Sequence, residues 1–176
     1  KDKMKYQNIF LDELVNEVIP FWQNFSLDKV NGGFFTCIDD KNKVFDTDKF
    51  IWLQARQVWM FATLYEQVEN KKEWLEISKN GAKFLKKFGH DGSYNWYFSV
   101  TKKGKPLISP YNIFSHTFSC MAFGKLYKIT NDEYYKKISI ETLKKIQERS
   151  SNPKSKWNKS ISGTRDLKNF ALPMIL

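Results

Sequence analysis

A single arginine in an apolar segment is the residue of this chain best suited to chemistry. Arg56 lies in the run WLQARQVW, four residues after Trp52 and three before Trp59, so the three side chains share one face of a helix. A guanidinium in apolar surroundings needs a partner, and it could bind substrate hydroxyls or offset negative charge on an oxygen atom. Trp52 could present an apolar face to a sugar ring. We therefore predict Arg56 as the catalytic residue and Trp52 as a substrate-binding residue.

Both residues also have a purely structural explanation. A structural arginine often stacks on a tryptophan or pairs with a buried carboxylate. A tryptophan in an apolar helix is more often part of the core than part of a binding site. Burial of Arg56 alone would not decide between the two interpretations.

Two further candidates, Tyr111 and His116, lie at the start of a second apolar segment, YNIFSHTFSCMAFGKLYKI. That end borders a pocket if buried and exposed helices alternate along the chain. Tyr111 could donate a hydrogen bond from its hydroxyl group, and we predict both residues as substrate-binding. The alternative for His116 is a histidine hydrogen-bonded within the core, the usual state of a single histidine among apolar residues.

Other polar groups fit local structure better than catalysis. His90 follows Gly89 at a predicted helix end, where an imidazolium would interact favourably with the helix dipole. Two carboxylates could hydrolyse a glycosidic bond, but the candidate aspartates lie near lysines in a predicted hairpin and are typical of turns and caps. They are Asp39, Asp40, Asp46 and Asp48. Glycoside hydrolysis is therefore the weaker alternative.

A basic loop late in the sequence could hold a phosphate-bearing effector. It contains Lys154, Lys156, Lys159, Gly163 and Arg165. The pattern GxxxxGK[ST] does not occur in the sequence, so we do not predict a Walker-type nucleotide site.

The elements that must position these groups are mostly helices, predicted from apolar periodicity and cap signals. They cover about 8–25, 49–69, 71–88, 111–129 and 131–149, and a sixth begins near Leu167. The first helix should bend or end near Pro20, and the third should stop at Gly89.

The helices alternate in character, and two short hairpins lie between them. The second helix is apolar on nearly every side, whereas the third carries a face of lysines, and the next two repeat this order. Hairpins are predicted in GGFFTCIDDKNKVF and in DGSYNWYFSVTKKGKPLI, where Tyr94, Trp96 and Phe98 alternate before a turn around Gly104. This order predicts an all-α fold, an αα-toroid with apolar inner helices and one-sided outer helices. Three pairs cannot close such a ring, so we expect further chain.

The composition limits the classes of protein to consider. A net charge of +10 would suit nucleic acid, but the lysines over 71–88 are interspersed with glutamates and no nucleic-acid motif accompanies them. No apolar run reaches the roughly 18 residues of a membrane span, and the first ten residues lack a signal-peptide apolar region. We therefore expect a cytoplasmic protein that binds neither nucleic acid nor membrane. Cys37 and Cys120 should be free thiols, and no metal site is predicted.

Three ordered blocks of the sequence resemble the N-acylglucosamine 2-epimerase family, which includes the mammalian renin-binding protein. They are PFWQNFSLDKVNGGFFTCIDDKNKVFDTDKFIWLQARQVWMFATLY, GSYNWYFSVTKKGKPLISPYNIFSHTFSCMAFGKLYKIT and NPKSKWNKSISGTRDLKNFALPMIL. The resemblance implies an (α/α)6 barrel, of which residues 1–176 would form the N-terminal half of a single domain. That half should be inactive alone, and the full protein should be a homodimer.

The resemblance also implies a reaction. Family members interconvert N-acetylglucosamine and N-acetylmannosamine, or related sugars, by moving a proton at carbon 2 of the opened ring. No cofactor is required, and ATP acts on several members as an effector. Arg56 matches a substrate-site arginine of the family. The two principal catalytic histidines of the family lie in the second half of the barrel and match neither His90 nor His116, and many close relatives have aspartate in place of His116.

Two alternatives remain open at this point. A related aldose–ketose isomerase or a cellobiose 2-epimerase would share the enediol intermediate, and the isomerase would return the proton to carbon 1. A protein-binding module is the alternative of a different class, because the renin-binding name describes association with a protease and not a reaction.

Overall fold

Helices and short strands alternate along the described part of the chain. The computed structural model describes residues 2–109, 113–151 and 174–175. The helices are α1 (Asp2–Glu13), α2 (Ile19–Phe25), α3 (Ile51–Gln67), α4 (Lys72–Phe88), α5 (Phe114–Thr130) and α6 (Glu133–Ser151). The strands are β1 (Cys37–Ile38), β2 (Val44–Asp46), β3 (Lys49–Phe50), β4 (Ser99–Val100) and β5 (Pro106–Ile108). The predicted start of a helix near Leu167 lies outside the described residues.

Two central helices, α3 and α5, pack against each other, and each has a second helix behind it. α4 packs on α3, and α6 packs on α5. α3 is buried on several sides because apolar and small residues occur on more than one of its faces. The other side of α4 carries exposed lysines, at Lys72, Lys83, Lys86 and Lys87. The predicted alternation of inner and outer helices is confirmed for these two pairs.

The N-terminal helical segment is interrupted earlier than predicted. A π-helical turn, Leu14–Val18, joins α1 to α2, and Pro20 lies in the first turn of α2. A proline removes one helical hydrogen bond and its ring crowds the preceding turn, and the wider π-helical turn accommodates both effects. Ile19 is fully buried, whereas Ile9 in α1 is 49% exposed. Only the later part of this segment therefore contributes to the core.

Both predicted hairpins are present, but the second is shorter than predicted. β1 and β2 pair antiparallel on either side of residues 39–43. β4 and β5 pair antiparallel around a turn in which Gly104 has a φ of 87°, but β4 begins only at Ser99. Trp96 is fully buried, and its indole nitrogen donates a hydrogen bond to Thr142 of α6 at 3.0 Å. Trp96 therefore belongs to the core and not to a hairpin strand.

Strand β3 was not predicted, and it completes a small sheet at the start of α3. It pairs antiparallel with β4, which gives the strand order β3-β4-β5. The N–H group of Ile51 donates to the carbonyl oxygen of Phe98 at 2.9 Å. The sheet thereby fixes the first turn of α3 next to the second hairpin.

A buried ion pair anchors the same end of α3. Lys49 is fully buried, and its Nζ lies 2.8 Å from the Oδ2 of Asp28. The ammonium group also donates to the carbonyl oxygens of Gly32 and Lys102. Burial acts to raise the pKa of Asp28, but hydrogen bonds from Lys49 and Asn31 outweigh that effect and lower it. Asp28 is therefore ionised, and one ammonium group joins two turns to the strand before α3.

Gly89 ends α4 as predicted, but for a different reason. A C-terminal glycine usually supplies a left-handed conformation, whereas Gly89 has a φ of −77°. A Cβ atom added at this position would lie 2.7 Å from the Trp96 ring and 2.7 Å from the carbonyl oxygen of Leu85. The position is therefore restricted to glycine by space.

A second group of charges joins α3 to α5 near the surface. Glu66 forms ion pairs with Lys125 at 2.7 Å and with Lys128 at 2.8 Å. Hydrogen bonds from these two lysines lower the pKa of Glu66 to about 2. The carboxylate is therefore ionised over the whole range in which the protein would work.

The cysteines and the apolar character of the helices bear on two of the sequence predictions. Cys37 and Cys120 are free thiols, as predicted. Burial raises the pKa of the Cys120 thiol, which makes it a poor nucleophile. Within the described parts of the chain, no helix has the length and apolar character that a membrane crossing requires.

Candidate functional site

An open pocket lies near the N-terminal ends of the two central helices. It has a volume of about 370 Å³. Its described lining consists of Trp52, Arg56, Phe98, Phe114 and Phe118. Two of these residues come from α3, two come from α5, and the fifth immediately precedes β4. The structure thus brings together two predicted site residues, Trp52 and Arg56, in a pocket lined with aromatic rings.

The guanidinium of Arg56 lies against two of these rings. Its Cζ is 5.8 Å from the ring centroid of Trp52 and 5.2 Å from that of Phe118, within the range of cation–π attraction. The side chain is exposed, and among residues 2–109 and 113–151 no carboxylate forms an ion pair with it. Because its neighbours there are aromatic rings and no described carboxylate pairs with it, the N–H donors of the guanidinium are available to a ligand.

This environment differs from the sequence prediction in two respects. Arg56 was expected to lie beside both tryptophans, but Trp59 packs against the core. Trp59 is two turns further along α3 than Trp52, a rise of roughly 10 Å, so it lies beyond the pocket. The guanidinium was also expected in buried surroundings, and it is instead on the side of α3 that faces the open pocket.

Trp52 and Phe118 form a continuous part of the pocket wall. Their ring centroids are 6.3 Å apart with an interplanar angle of 37°. Phe98 extends the wall, and its ring meets that of Phe50 edge to face at 5.7 Å. An apolar wall with one cationic group suits a ligand that has both a C–H face and polar oxygen atoms.

His116 lies away from the pocket. It is two residues from both Phe114 and Phe118, and two residues correspond to a rotation of about 200° around a helix. Its side chain is 1% exposed, and its Nδ1 is 3.2 Å from a guanidinium nitrogen of Arg149. Its Nε2 is 3.4 Å from the backbone nitrogen of Trp96. Its placement is that of the core histidine described as the alternative, and its predicted contact with substrate stays untested.

The neighbours of His116 keep the ring neutral. Burial, and after it the positive charge of Arg149, lower the pKa of His116 to about 3. Both ring nitrogens face N–H donors, and a protonated imidazole has no acceptor to offer either of them. A neutral ring has one acceptor nitrogen, so in each tautomer it accepts from only one of the two donors, the N–H group of Trp96 or the guanidinium of Arg149.

His90 is also neutral, which corrects its predicted charge state. Burial lowers the pKa of His90 despite the nearby Asp91. Its Nδ1 accepts a hydrogen bond from the N–H group of Gly92 at 3.0 Å, and its ring packs against Tyr94 and Trp96. His90 therefore shapes the turn after α4, and it is not the imidazolium expected at a helix end.

Several predicted groups lie outside the described residues. Tyr111 is one of them, and the basic loop from Lys154 to Arg165 is another. Two of the aspartates considered for glycoside hydrolysis behave as turn residues: Asp39 accepts hydrogen bonds from the N–H groups of Lys41 and Lys43, and Asp46 accepts one from that of Asp48. No group of three or more potential metal ligands occurs within the residues that the structure describes.

The aromatic residues from outside α3 were not predicted as site residues. Phe114 and Phe118 are four residues apart, so they share one face of α5. That spacing is visible in the sequence, but it is equally typical of a helix face buried in the core. Phe98 was assigned to a strand pattern. The only available signal was therefore the i, i+4 pair of phenylalanines, and it does not distinguish a pocket from a core.

Comparison with known proteins gives the family of this fold. The sequence profile of the N-acylglucosamine 2-epimerase (GlcNAc 2-epimerase) family matches residues 33–171. The chain belongs to the N-acylglucosamine 2-epimerase family. All five described pocket residues fall within the matched range, so the pocket is part of the family's shared domain.

Individual relatives of this epimerase-family chain are much longer than it is. It is 34% identical to N-acylglucosamine 2-epimerase from Rattus norvegicus over 167 residues, which cover 92% of this chain and 40% of that protein. It is 29% identical to cellobiose 2-epimerase from Dictyoglomus turgidum over 140 residues, which cover 78% of this chain and 35% of that protein. The chain thus spans about two fifths of the length of these relatives.

A solved structure agrees with the fold seen here. Cellobiose 2-epimerase from Bacillus thermoamylovorans superposes with a TM-score of 0.71 at 26% sequence identity, covering 80% of this chain and 37% of that one. Such relatives are (α/α)6 barrels. The predicted fold class, helix pairs of an αα-toroid with short strands between them, is confirmed.

Proposed function

We propose that this chain forms the charge-stabilising wall of a sugar 2-epimerase whose full protein interconverts N-acetylglucosamine and N-acetylmannosamine. One observation carries the proposal: Arg56 presents an exposed guanidinium beside the rings of Trp52 and Phe118 in an open pocket. That pocket lies in the region that matches the family. The relatives named N-acylglucosamine 2-epimerase support an amino sugar as substrate.

Arg56 would act on the intermediate of this reaction. When a base removes the proton from carbon 2 of the open-chain sugar, the electron pair of the C–H bond enters the bond between carbons 1 and 2. The carbonyl electrons then move onto the oxygen of carbon 1, which gives an enolate that keeps the acetamido group on carbon 2. A guanidinium that donates to this oxygen stabilises the developing negative charge. Trp52 would pack against the apolar face of the sugar.

The proton-transfer groups would come from chain beyond the described pocket lining. That lining offers an arginine and apolar aromatic rings, and none of these is a base near neutral pH. Inversion needs one group on each face of the planar enolate, and the family resemblance assigns this work to two histidines of the second barrel half. We therefore expect that the 176 residues alone do not epimerise sugars.

We propose different roles for Tyr111 and His116. Tyr111 remains a proposed hydroxyl donor to the sugar on the basis of its sequence position. The fully enclosed ring of His116 contacts Trp96 and Arg149, so we propose that any effect of His116 on sugar binding is transmitted through the packing of α5.

We base the proposed location, oligomeric state and effector of the full protein on the family resemblance. It would work in the cytoplasm as a homodimer, without a required cofactor or metal, and ATP would act as an effector that is not consumed. We also expect it to bind neither nucleic acid nor membrane. Association with a protease, as in the renin-binding name, stays the alternative of a different class.

A cellobiose 2-epimerase is the second candidate, because a relative with that name matches 78% of this chain. The two candidates share the chemistry at carbon 2 and differ in what occupies the rest of the sugar site. Supplying N-acetylglucosamine and cellobiose separately to the same protein separates them, and release of a monosaccharide from cellobiose would instead indicate hydrolysis.

The proposal is tested with the purified full-length protein in D₂O. N-acetylmannosamine should be converted to its epimer with deuterium at carbon 2, as measured by NMR, because the proton exchanges with solvent during the reaction. The Arg56→Ala variant should lose this exchange. If no sugar acquires deuterium at carbon 2 and the protein instead captures a protease, the protein-binding alternative is correct.

A further inference from the structure

Phe118 differs from Trp52 in how it meets the guanidinium of Arg56. Trp52 lies one turn earlier on the same helix, so its contact with Arg56 is local. Phe118 comes from α5, and its ring centroid is closer to the guanidinium, at 5.2 Å against 5.8 Å. The guanidinium thus contacts two adjacent rings, one from each central helix.

This arrangement restricts a side chain that would otherwise be flexible. An arginine has several rotatable bonds, and ordering it costs conformational entropy. Arg56 is exposed, and within the described chain no carboxylate fixes its direction. Contact with the two adjacent rings, whose centroids are 6.3 Å apart, therefore limits where the guanidinium can lie.

We propose that Phe118 is a positioning residue for Arg56 in the epimerisation reaction. The inference rests on the proposed function of Arg56, but it assigns Phe118 no contact with the reacting atoms. A guanidinium held in place stabilises developing charge better than a mobile one. Loss of the ring should therefore reduce kcat more than it raises KM.

Phe118→Leu is the variant that tests this, because leucine keeps apolar bulk and removes the π face. We expect kcat of the full-length protein to fall about tenfold, the upper part of the range for a cation–π contact, with KM changed by less than about twofold. Phe118→Tyr keeps the ring face, so its kcat should stay close to the wild-type value. Phe45→Leu changes an exposed ring on β2 and serves as the matched control.

A double-mutant cycle shows whether Phe118 acts through Arg56. In an Arg56→Lys background, Phe118→Leu should cause little further loss, because the effects of coupled residues are not additive. An equal loss in both backgrounds would overturn the inference, since Phe118 would then act independently of Arg56.

A measurement without turnover separates this inference from the proposed function. In full-length protein labelled with ¹⁵N-arginine, the Nε–H signal of Arg56 is identified by its disappearance in Arg56→Lys. Ring currents should displace this signal in the wild type and in Phe118→Tyr, and Phe118→Leu should move it towards the position of a free arginine. An unmoved signal overturns the inference. Wild-type protein that is inactive on every sugar overturns the proposed function, and the NMR comparison then decides by itself whether Phe118 holds Arg56.

Discussion

Two arginines on either side of α5 are used in different ways. In the pocket site (Trp52, Arg56 and Phe118), two aromatic rings are the contacts that the described residues make with an exposed guanidinium. The core site (Trp96, His116 and Arg149) holds a partly buried guanidinium 3.2 Å from the Nδ1 of a neutral imidazole. Both sites combine an arginine with aromatic residues. They differ in whether the N–H donors are already engaged by the fold, and that difference separates a site able to bind a ligand from a structural contact.

The largest effect is expected on kcat, when the pocket site alone is disrupted. In the full-length protein, Arg56→Ala should lower kcat by about 10²–10³-fold, the usual effect of removing one charge-stabilising donor. The free energy of unfolding should change by less than about 0.5 kcal/mol, because the side chain is exposed. Steady-state kinetics and urea unfolding measure the two quantities.

The matched control for this variant is Lys103→Ala, which removes another exposed cation. Both quantities should stay at wild-type values in that variant. If Arg56→Ala leaves kcat unchanged, Arg56 is not part of the active site and the comparison between the two sites loses its functional meaning.

Disruption of the core site should instead lower stability and leave activity nearly unchanged. His116→Ala should lower the free energy of unfolding by about 2–3 kcal/mol, because it opens a cavity and leaves one N–H donor without its acceptor. Activity per folded molecule should change little. Met121→Ala, at a position 43% exposed on the same helix, should be close to neutral. A selective rise in KM without loss of stability would show instead that His116 contacts the sugar.

The core site should also make the stability of the protein depend on pH, which the pocket site should not. The pKa of His116 is about 3 in the folded protein against an ordinary value of 6.5, so the unfolded chain binds the proton more readily. Stability is therefore complete above pH 6.5 and falls as the pH decreases from 6.5 towards 3, by up to about 1.4 kcal/mol per pH unit. His90 contributes in the same direction, since its pKa is also lowered.

His116→Gln isolates the contribution of His116, because glutamine does not titrate. Urea unfolding of the variant and the wild type at intervals between pH 7 and pH 5 should give a shallower slope for the variant. Identical slopes would mean that the imidazole of the folded protein titrates normally and that the core site is more open than the structure indicates.

The smallest expected effect concerns the charges joining α3 to α5 at the surface. The folded pKa of Glu66 is about 2 against an ordinary value of 4.5, so the stabilisation is present above pH 4.5 and is lost as the pH falls from 4.5 to 2. Glu66→Gln should lower Tm slightly at pH 7 and by less at high salt, because salt screens the ion pairs, whereas Glu73→Gln on α4 should have no effect. Thermal unfolding at pH 7 and pH 3 measures the difference.

The helical framework could be predicted because its signals are local. Apolar periodicity located α3 to α6 to within a few residues, and the contrast between α3 and α4 indicated which helix is inner. Strand β3 could not be predicted, because a two-residue strand has no periodicity and its partner is distant in the sequence.

The candidate site was predicted only in part. Arg56 and Trp52 were identifiable because a charge in an apolar helix is unusual, whereas Phe118 resembles any core residue until α3 and α5 are placed side by side. The direction of His116 depends on how α5 is rotated about its axis, which the sequence of one helix does not determine.

The buried ammonium group of Lys49 has a consequence for how this region can vary. It links the turn of Asp28 to the turn of Lys102, although more than seventy residues separate them. A change in the length of either turn would displace a charge that the other turn also needs. The two turns can therefore be redesigned or exchanged between relatives only as a pair. The same constraint applies to the rim of the pocket beside Trp52, because Lys49 lies just before α3.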